Sequence, residues 1–392
     1  MITLEAALKI IDSNFKTLSV FESVSLNDSV GRILSEDVYS DIDMPPFDKS
    51  AMDGYACRRE DLQLPMECVE LIPAGTEPTK HLDKGQCAKI MTGAKVPVGA
   101  NCVVMVEDTI VNSKGEIIFE GTKTQTNICT QGEDIKKGEL VLENGTYITP
   151  QILAVLASVG KSTVLVNCKP NVGFFCTGSE LVEPDQFPDG VSIRNSNSSQ
   201  LIAQIDAAGA IPNYHGIMSD NRAEISSKID DLLQANNIVI ITGGASVGDF
   251  DFIPQILEES GFTLHFQAVS IQPGKPVLYA THRDKHIFGL SGNPVSSFLQ
   301  FELLVKPLIA NLSGSTSKLQ TIQTIAGEDF TRKNTGRTFF LPVVLNTEGQ
   351  VIKTEYHGSA HIAGLKNIFG FAILQQGVSK IIKGEIVHVR PL

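Results

Sequence analysis

Between residues 171 and 312, short strand-like runs alternate with longer stretches that are apolar along one helical face. This alternation limits the possible folds more than any other feature of the chain. "NVGFFC" precedes "SQLIAQIDAAGA", and "NYHGIM" precedes "AEISSKIDDLLQAN", in which Ile225, Ile229, Leu232 and Leu233 share a face. "NIVIIT" leads through glycines into "FIPQILEESG", and "HIFGL" enters "PVSSFLQFELLVKPLIANL". Repeated strand–helix units of this kind build a parallel sheet covered on both faces, because each crossover helix buries its apolar stripe against the strands. The expected fold class is a multidomain α/β plus β protein around a central parallel sheet.

The flanking segments read differently. From residue 60 to 145, β-rich runs ("ECVELI", "CAKIMTG", "CVVMVED", "EIIFE", "ELVLENG") are broken by Gly and Pro, the pattern of a small inserted β domain. Two helices flank it. "MITLEAALKIIDSNFK" sets Leu4, Leu8, Ile11 and Phe15 at helical spacing behind Thr3 as N-cap. "TPQILAVLASVG" has Thr149 as N-cap, Pro150 at the first helical position and Gly160 as the stop. These two helices are expected to pack together as a helical/β stem. The tail ("TFFLPVVLN", "QVIKTEY", "FAILQQG", "EIVHVRP") returns to β and is expected to form a barrel-like domain. The expected division is a stem at 1–44 plus 140–168, an inserted β domain at 45–139, an α/β domain at 169–315 and a C-terminal β domain at 316–392.

A formal charge of -12, from 44 acids against 32 bases, argues against a nucleic-acid partner, which needs a basic field. An anionic small molecule remains open, through a local cluster of cations and backbone N–H groups. The N-terminal segment has neither the basic start nor the long apolar core of a signal peptide. The longest apolar run, "ILAVLASVG", is about half of the roughly 20 residues that span a bilayer, so no membrane partner is expected. Seven cysteines without a C-x-x-C pair point to reduced thiols, a cytoplasmic setting and no structural zinc. His357 and His361, in the glycine-flanked "HGSAHIAG", read as loop histidines.

In an open parallel sheet, ligands bind beyond the carboxyl ends of the strands, and four junctions there carry chemistry. "CTGSE" supplies Thr177, Gly178, Ser179 and Glu180. "TGGASVGDFD" supplies Gly243, Gly244 and Gly248, which let backbone approach an anion, followed by Asp249 and Asp251. "IQPGKP" holds Lys275 between prolines, and "GLSGNPVS" turns through Gly292, Asn293 and Pro294 into a helix whose first amides face the same edge. Glu180, Asp220 and Asp251 suit Mg²⁺ or the activation of water. Neither G-x-x-x-x-G-K-[ST] nor G-x-G-x-x-G occurs, so the chain is not a P-loop or ordinary dinucleotide-binding enzyme by motif. Far upstream, "FDKSAMDGYA" places Asp48, Lys49, Ser50 and Asp53 in a stretch short of apolar neighbours. It reads as an exposed turn on or beside a hairpin, either an interdomain connection or part of a site.

Taken together, "PPFDKSAMDGYA", "IMTGAKVPVGANCVVMVED", "TGSEL", "RNSNSSQL", "TGGASVGDFD", "PGKP" and "GLSGNPVS" occur in an order and spacing that resembles the molybdopterin molybdenumtransferases, over essentially the whole chain. The resemblance implies a homodimer of four-domain subunits, with a cleft completed by the inserted β domain of the partner. It also implies that molybdenum passes from molybdate to adenylylated molybdopterin, with Mg²⁺ and with release of AMP, and it makes molybdopterin adenylyltransferase a candidate partner. By the same resemblance Asp48, Thr92, Glu180, Asp220, Asp251 and Lys275 form the catalytic set. Glu180, Asp220 and Asp251 would serve the metal, Lys275 and Ser359 molybdate, and Asp48 and Thr92 would act from across the dimer. Ser50, Gly178, Ser179, Ser196, Asn197, Gly243, Gly244, Ser246, Gly248, Gly292, Asn293, Pro294 and Arg337 would join Ser359 in contacting substrate.

Several positions depart from the family pattern. Gln272 stands for the first lysine of K-P-G-K, Pro342 for a frequent arginine, Asn195 for an aspartate, Lys49 for an asparagine, and Phe369 for the Asn of a turn. Loss of two cations would weaken an oxyanion pocket, so a non-catalytic cofactor-binding or scaffold protein stands as the alternative.

Overall fold

A computed structural model describes residues 1–243, 252–315 and 320–392, and within it the chain divides into two compact units. The first comprises Met1–Ser23, Gly31–Ser35 and Leu165–Leu392; the second comprises Val24–Val30 and Glu36–Val164.

The first unit is organised by a six-stranded sheet of β1 (Asn171–Thr177), β2 (Ile211–Met218), β3 (Ile238–Thr242), β4 (Thr263–Ala268), β5 (Pro276–His282) and β6 (Lys285–Leu290), in the order β2-β1-β3-β6-β5-β4. β2, β1, β3 and β6 are mutually parallel, as expected. β5 and β4 are antiparallel additions, so the sheet is mixed and not wholly parallel. The reason is the tight hairpin between β5 and β6, where His282 pairs with Lys285 and Arg283 takes a left-handed φ of 56°. A two-residue link can only reverse the chain; a parallel neighbour needs a crossover.

Successive residues of the central strands point to opposite faces, and both faces are apolar. Val172, Phe174, Ile238, Ile240, Phe288 and Leu290 join one core, against α3 (Ser196–Ala207) and α6 (Pro294–Leu312). Phe175, Val239, Ile241 and Ile287 join the other, against α4 (Arg222–Ala235) and α5 (Ile253–Glu259). Within α6, residues Phe301–Val305 form a π-helical turn just before Pro307, whose missing N–H interrupts the regular hydrogen-bond ladder. α6 has the length and mean hydropathy of a membrane span, yet most of that stretch is buried inside the unit.

The N-terminal helix α1 (Leu4–Ser13) is capped by Thr3 and buries Ala7 and Ile11 in the first core, near Leu308 and Leu312. α2 (Pro150–Ser158), the stem partner expected from sequence, belongs to the second unit. The tail forms a sheet with the strand order 271–272, 338–345, 370–374, 386–391, 322–325, and 351–353 pairs with 338–345. This path is open, so the expected barrel-like closure is not found. Ile271–Gln272 runs parallel to Thr338–Leu345 and ties the segment before Lys275 to the strand after Arg337.

In the second unit a four-stranded sheet orders 67–72, 86–90, 54–57 and 102–105. The strand Gly54–Cys57 is internal, although the sequence hides it behind a turn signal. A Cβ at Gly54 would lie 1.9 Å from the Val104 carbonyl oxygen, so only glycine lets these strands pair. Ser50 is 1% exposed, against the expectation of an exposed stretch. It pairs with Ile128, and its hydroxyl donates to the Met52 carbonyl at 2.6 Å.

Candidate functional site

At the carboxyl edge of the parallel strands lies a cavity of about 1090 Å³, whose described lining residues all belong to the first unit. β1 leads into Thr177, Gly178 and Glu180, β3 into Gly243, and β6 into Ser291, Gly292 and Asn293. Because β5 is antiparallel, its start lies at this same edge and brings Lys275 to the cavity. Arg337 and Phe339 of the tail sheet, and the loop around Ser359, complete the wall.

Two glycines are required by close approach. Gly243 has φ +85°, and a Cβ there would sit 2.3 Å from the Thr177 carbonyl oxygen. At Gly178, with φ +150°, a Cβ would meet the Glu180 carboxylate at 2.7 Å, so this glycine makes room for the acid beside it.

The loops are braced from behind. Asn197 is 7% exposed and its Nδ2 donates to the Gly292 carbonyl at 2.8 Å, joining the start of α3 to the turn before α6. Asn195 is wholly engaged: its Oδ1 accepts the Ser198 N–H as N-cap and its Nδ2 donates to the Tyr214 hydroxyl. Arg337 Nη1 donates to the Ile271 carbonyl at 3.1 Å. Among the described residues the exposed Lys275 ammonium has no partner.

Three cations, Arg194, Lys275 and Arg337, face the cavity with two carboxylates, Glu180 and Asp220. Among the described residues cations therefore outnumber carboxylates at the cavity, in a chain of net charge -12, which suits an anionic ligand. Tyr356 also lines the cavity, and burial pushes its phenol up to about 12, so it stays a neutral donor at pH 7. Three wall atoms, Thr177 Oγ1, Asn197 Oδ1 and Gln272 Oε1, are buried without a hydrogen-bond partner among the described residues. Such atoms cost about 1–3 kcal/mol each and mark a wall that is not built for stability alone.

The sequence-derived candidates divide accordingly. Gly178, Glu180, Ser196, Asn197, Asp220, Gly243, Lys275, Gly292, Asn293, Pro294, Arg337 and Ser359 share the cavity. Ser179 is exposed beside it without lining it. Gly244, Ser246, Gly248 and Asp251 lie outside the described residues. Asp48, Ser50 and Thr92 belong to the second unit. There Asp48 Oδ1 accepts the Gln131 N–H at 2.8 Å, and Thr92 donates its N–H and hydroxyl to Asp53 Oδ1 at 2.6 and 2.8 Å. Those two bonds from Thr92 lower the Asp53 pKa from its ordinary value.

Two expectations need correction. The first amides of α6 are not a free anion cradle, because Pro294 has none and Val295 donates its N–H to the Ser359 carbonyl at 3.0 Å. Pro342 does not line the cavity; it is buried within the strand Thr338–Leu345. Sequence reasoning missed Arg194, whose side chain is held by the Gln186 carbonyl at 3.2 Å; its signal was the basic residue directly before the Asn195 cap.

For a divalent cation, the oxygen donors of Glu180 and Asp220 suit Mg²⁺, although no group of three ligating side chains occurs among the described residues.

Residues 2–160 match the family described as MoeA N-terminal region (domain I and II), and residues 173–311 match the probable molybdopterin binding domain. The chain is 36% identical to a molybdopterin molybdenumtransferase of Bacillus subtilis, over 96% of this chain and 91% of that one. It is 34% identical to the enzyme of the same name from Staphylococcus epidermidis, over 98% and 94%. Among solved structures, a molybdopterin biosynthesis moeA protein from Pyrococcus horikoshii OT3 superposes with a TM-score of 0.85 at 30% identity, covering 100% of both chains.

Proposed function

The chain belongs to the molybdopterin molybdenumtransferase family, and from that premise we propose that it inserts molybdenum from molybdate into adenylylated molybdopterin with release of AMP. The observation that carries this reading is the cavity that gathers Lys275, Arg194 and Arg337 with Glu180 and Asp220 at the sheet edge. The cations hold the oxyanion and phosphate groups, while the carboxylates accept the proton of the water that attacks the phosphoanhydride. That attack forms a new P–O bond to water, breaks the bridging P–O bond and lets AMP leave. Lys275 and Ser359 hold molybdate, one oxo group of which leaves as water with the two thiol protons as the dithiolene sulfurs bind molybdenum. Glu180 and Asp220, with Asp251, would hold Mg²⁺, which neutralises charge on the phosphates when bound.

We further propose a homodimer, in which a second copy supplies Asp48 and Thr92, since both belong to the second unit while the described lining residues of the cavity all belong to the first. The seven cysteines are all free thiols, which supports a reducing compartment such as the cytoplasm. The test is AMP release from adenylylated molybdopterin with molybdate and Mg²⁺. Turnover that is lost in Asp220→Ala, and that in Lys275→Ala persists only at much higher molybdate, supports the reading. Tight binding of the cofactor without AMP release would replace it with a carrier or scaffold role.

A further inference from the structure

Gln300 lies on α6 behind the cavity and does not line it. It is 0% exposed and all three of its hydrogen bonds go to backbone. Its Nε2 donates to the carbonyls of Gly274, at 2.9 Å, and Pro276, at 2.7 Å; its Oε1 accepts the N–H of Ser291 at 2.8 Å. The residue between the two carbonyls is Lys275. One buried amide therefore grips the chain on both sides of the ammonium-bearing residue and fastens it to the turn that follows β6. The fit is close, because Gly274 has φ +91° and a Cβ there would stand 3.0 Å from Gln300 Nε2. α6 also holds the loop around Ser359, through Val295 N–H to the Ser359 carbonyl. No other side chain among the described residues donates to the Gly274 or Pro276 carbonyl.

We propose that Gln300 is a positioning residue for oxyanion binding, setting the place of the Lys275 ammonium relative to the turn at Ser291–Asn293 and to Ser359. The inference rests on the reading of Lys275 as the molybdate-holding group. Ammonium and oxyanion interact over hydrogen-bond distances, so a shift of about 1 Å in the loop weakens the contact while leaving the carboxylates in place.

The experiment measures the molybdate dependence of AMP release by the full-length protein, at saturating adenylylated molybdopterin and Mg²⁺. Gln300→Met keeps the side-chain length and removes all three bonds. Gln300→Glu keeps the acceptor for Ser291 and removes both donors to the Lys275 loop. Each should raise half-saturating molybdate by about tenfold and leave the rate at saturating molybdate within about twofold. A residue that merely stabilises the fold would not give that split. In a Lys275→Ala background, Gln300→Met should give no further rise, since the group it positions is gone.

Effects of the two substitutions that multiply would overturn the proposal, as would a wild-type half-saturation in Gln300→Glu. If Lys275→Ala itself leaves half-saturation unchanged, the molybdate reading fails and the positioning role with it. Should Gln300→Met not fold, the Glu variant carries the comparison. Should neither fold, Gly274→Ala crowds the same amide from the loop side, and an unchanged half-saturation there overturns the idea.

Discussion

Acid should loosen the α/β core through one histidine. His286, on β6, is 1% exposed and its Nδ1 lies 3.0 Å from the hydroxyl of the fully buried Tyr279. Burial pulls its pKa down from 6.5 to about 4; Asp284 opposes the shift and His265 adds to it. In the folded protein the ring is therefore neutral at pH 7, whereas in the unfolded chain it takes up a proton below its ordinary pKa. The stability tied to neutral His286 is complete above pH 6.5 and is lost as pH falls toward about 4, below which both states carry the proton. A gap of roughly 2.5 units at 1.36 kcal/mol each corresponds to about 3 kcal/mol over that window, as an order of magnitude. Hydrogen exchange of the β3 and β6 amides measures this core apart from the second unit. His286→Gln, which retains a neutral hydrogen-bonding group near Tyr279, should cost a roughly constant amount at pH 7 and then overtake the wild type as the pH drops to 4.5. If the difference in opening free energy between the two proteins stays within about 0.5 kcal/mol from pH 7 to 4.5, the proton is being taken up elsewhere and the argument fails.

Further outcomes follow from the cavity and from the second unit. Gln272 lines the cavity with an Oε1 unpartnered among the described residues, so Gln272→Lys should tighten molybdate about tenfold, for a gain of about 1.4 kcal/mol over the amide. Unchanged or weaker half-saturation would mean that Arg337 or Arg194 already fills that place. Asp53→Ala removes the acceptor that fixes Thr92 and should lower AMP release several-fold without moving the unfolding transition, since the carboxylate is exposed; wild-type turnover would dissociate Thr92 from catalysis. If two copies complete the site, mixing Asp48→Ala with Asp251→Ala subunits should recover part of the activity that each lacks, and sedimentation should show more than a 42.3 kDa species. A single species of that mass with full activity would remove the dimer.

How far the chain could be read depended on whether the deciding interaction was local. β1, β3 and β6 are buried on both faces, so each carries apolar residues that point to both sides of the sheet and stand out in the sequence. β4 and β5 carry His265, Thr281 and His282, and the hairpin from β5 to β6 turns at Arg283, a residue that gives no glycine or asparagine signal. The same division runs through the site. Glycines and charges after a strand announce an edge, and Glu180, Lys275 and Asn293 were found in that way because strand and loop are neighbours in sequence. Gln300 and Asn197 are different, for their roles exist only once β5, β6 and α3 have been brought to one edge. Within the sequence Gln300 is simply a polar residue inside an apolar helix. A buried amide at such a position is tolerated only if each of its hydrogen bonds is met, and here the groups that meet them are the backbone on either side of Lys275. The polar interruption of α6 is thus the visible trace of a constraint imposed by the loop it supports. The same reasoning predicts that an apolar residue at position 300 would pack α6 at least as well and would damage the anion site first.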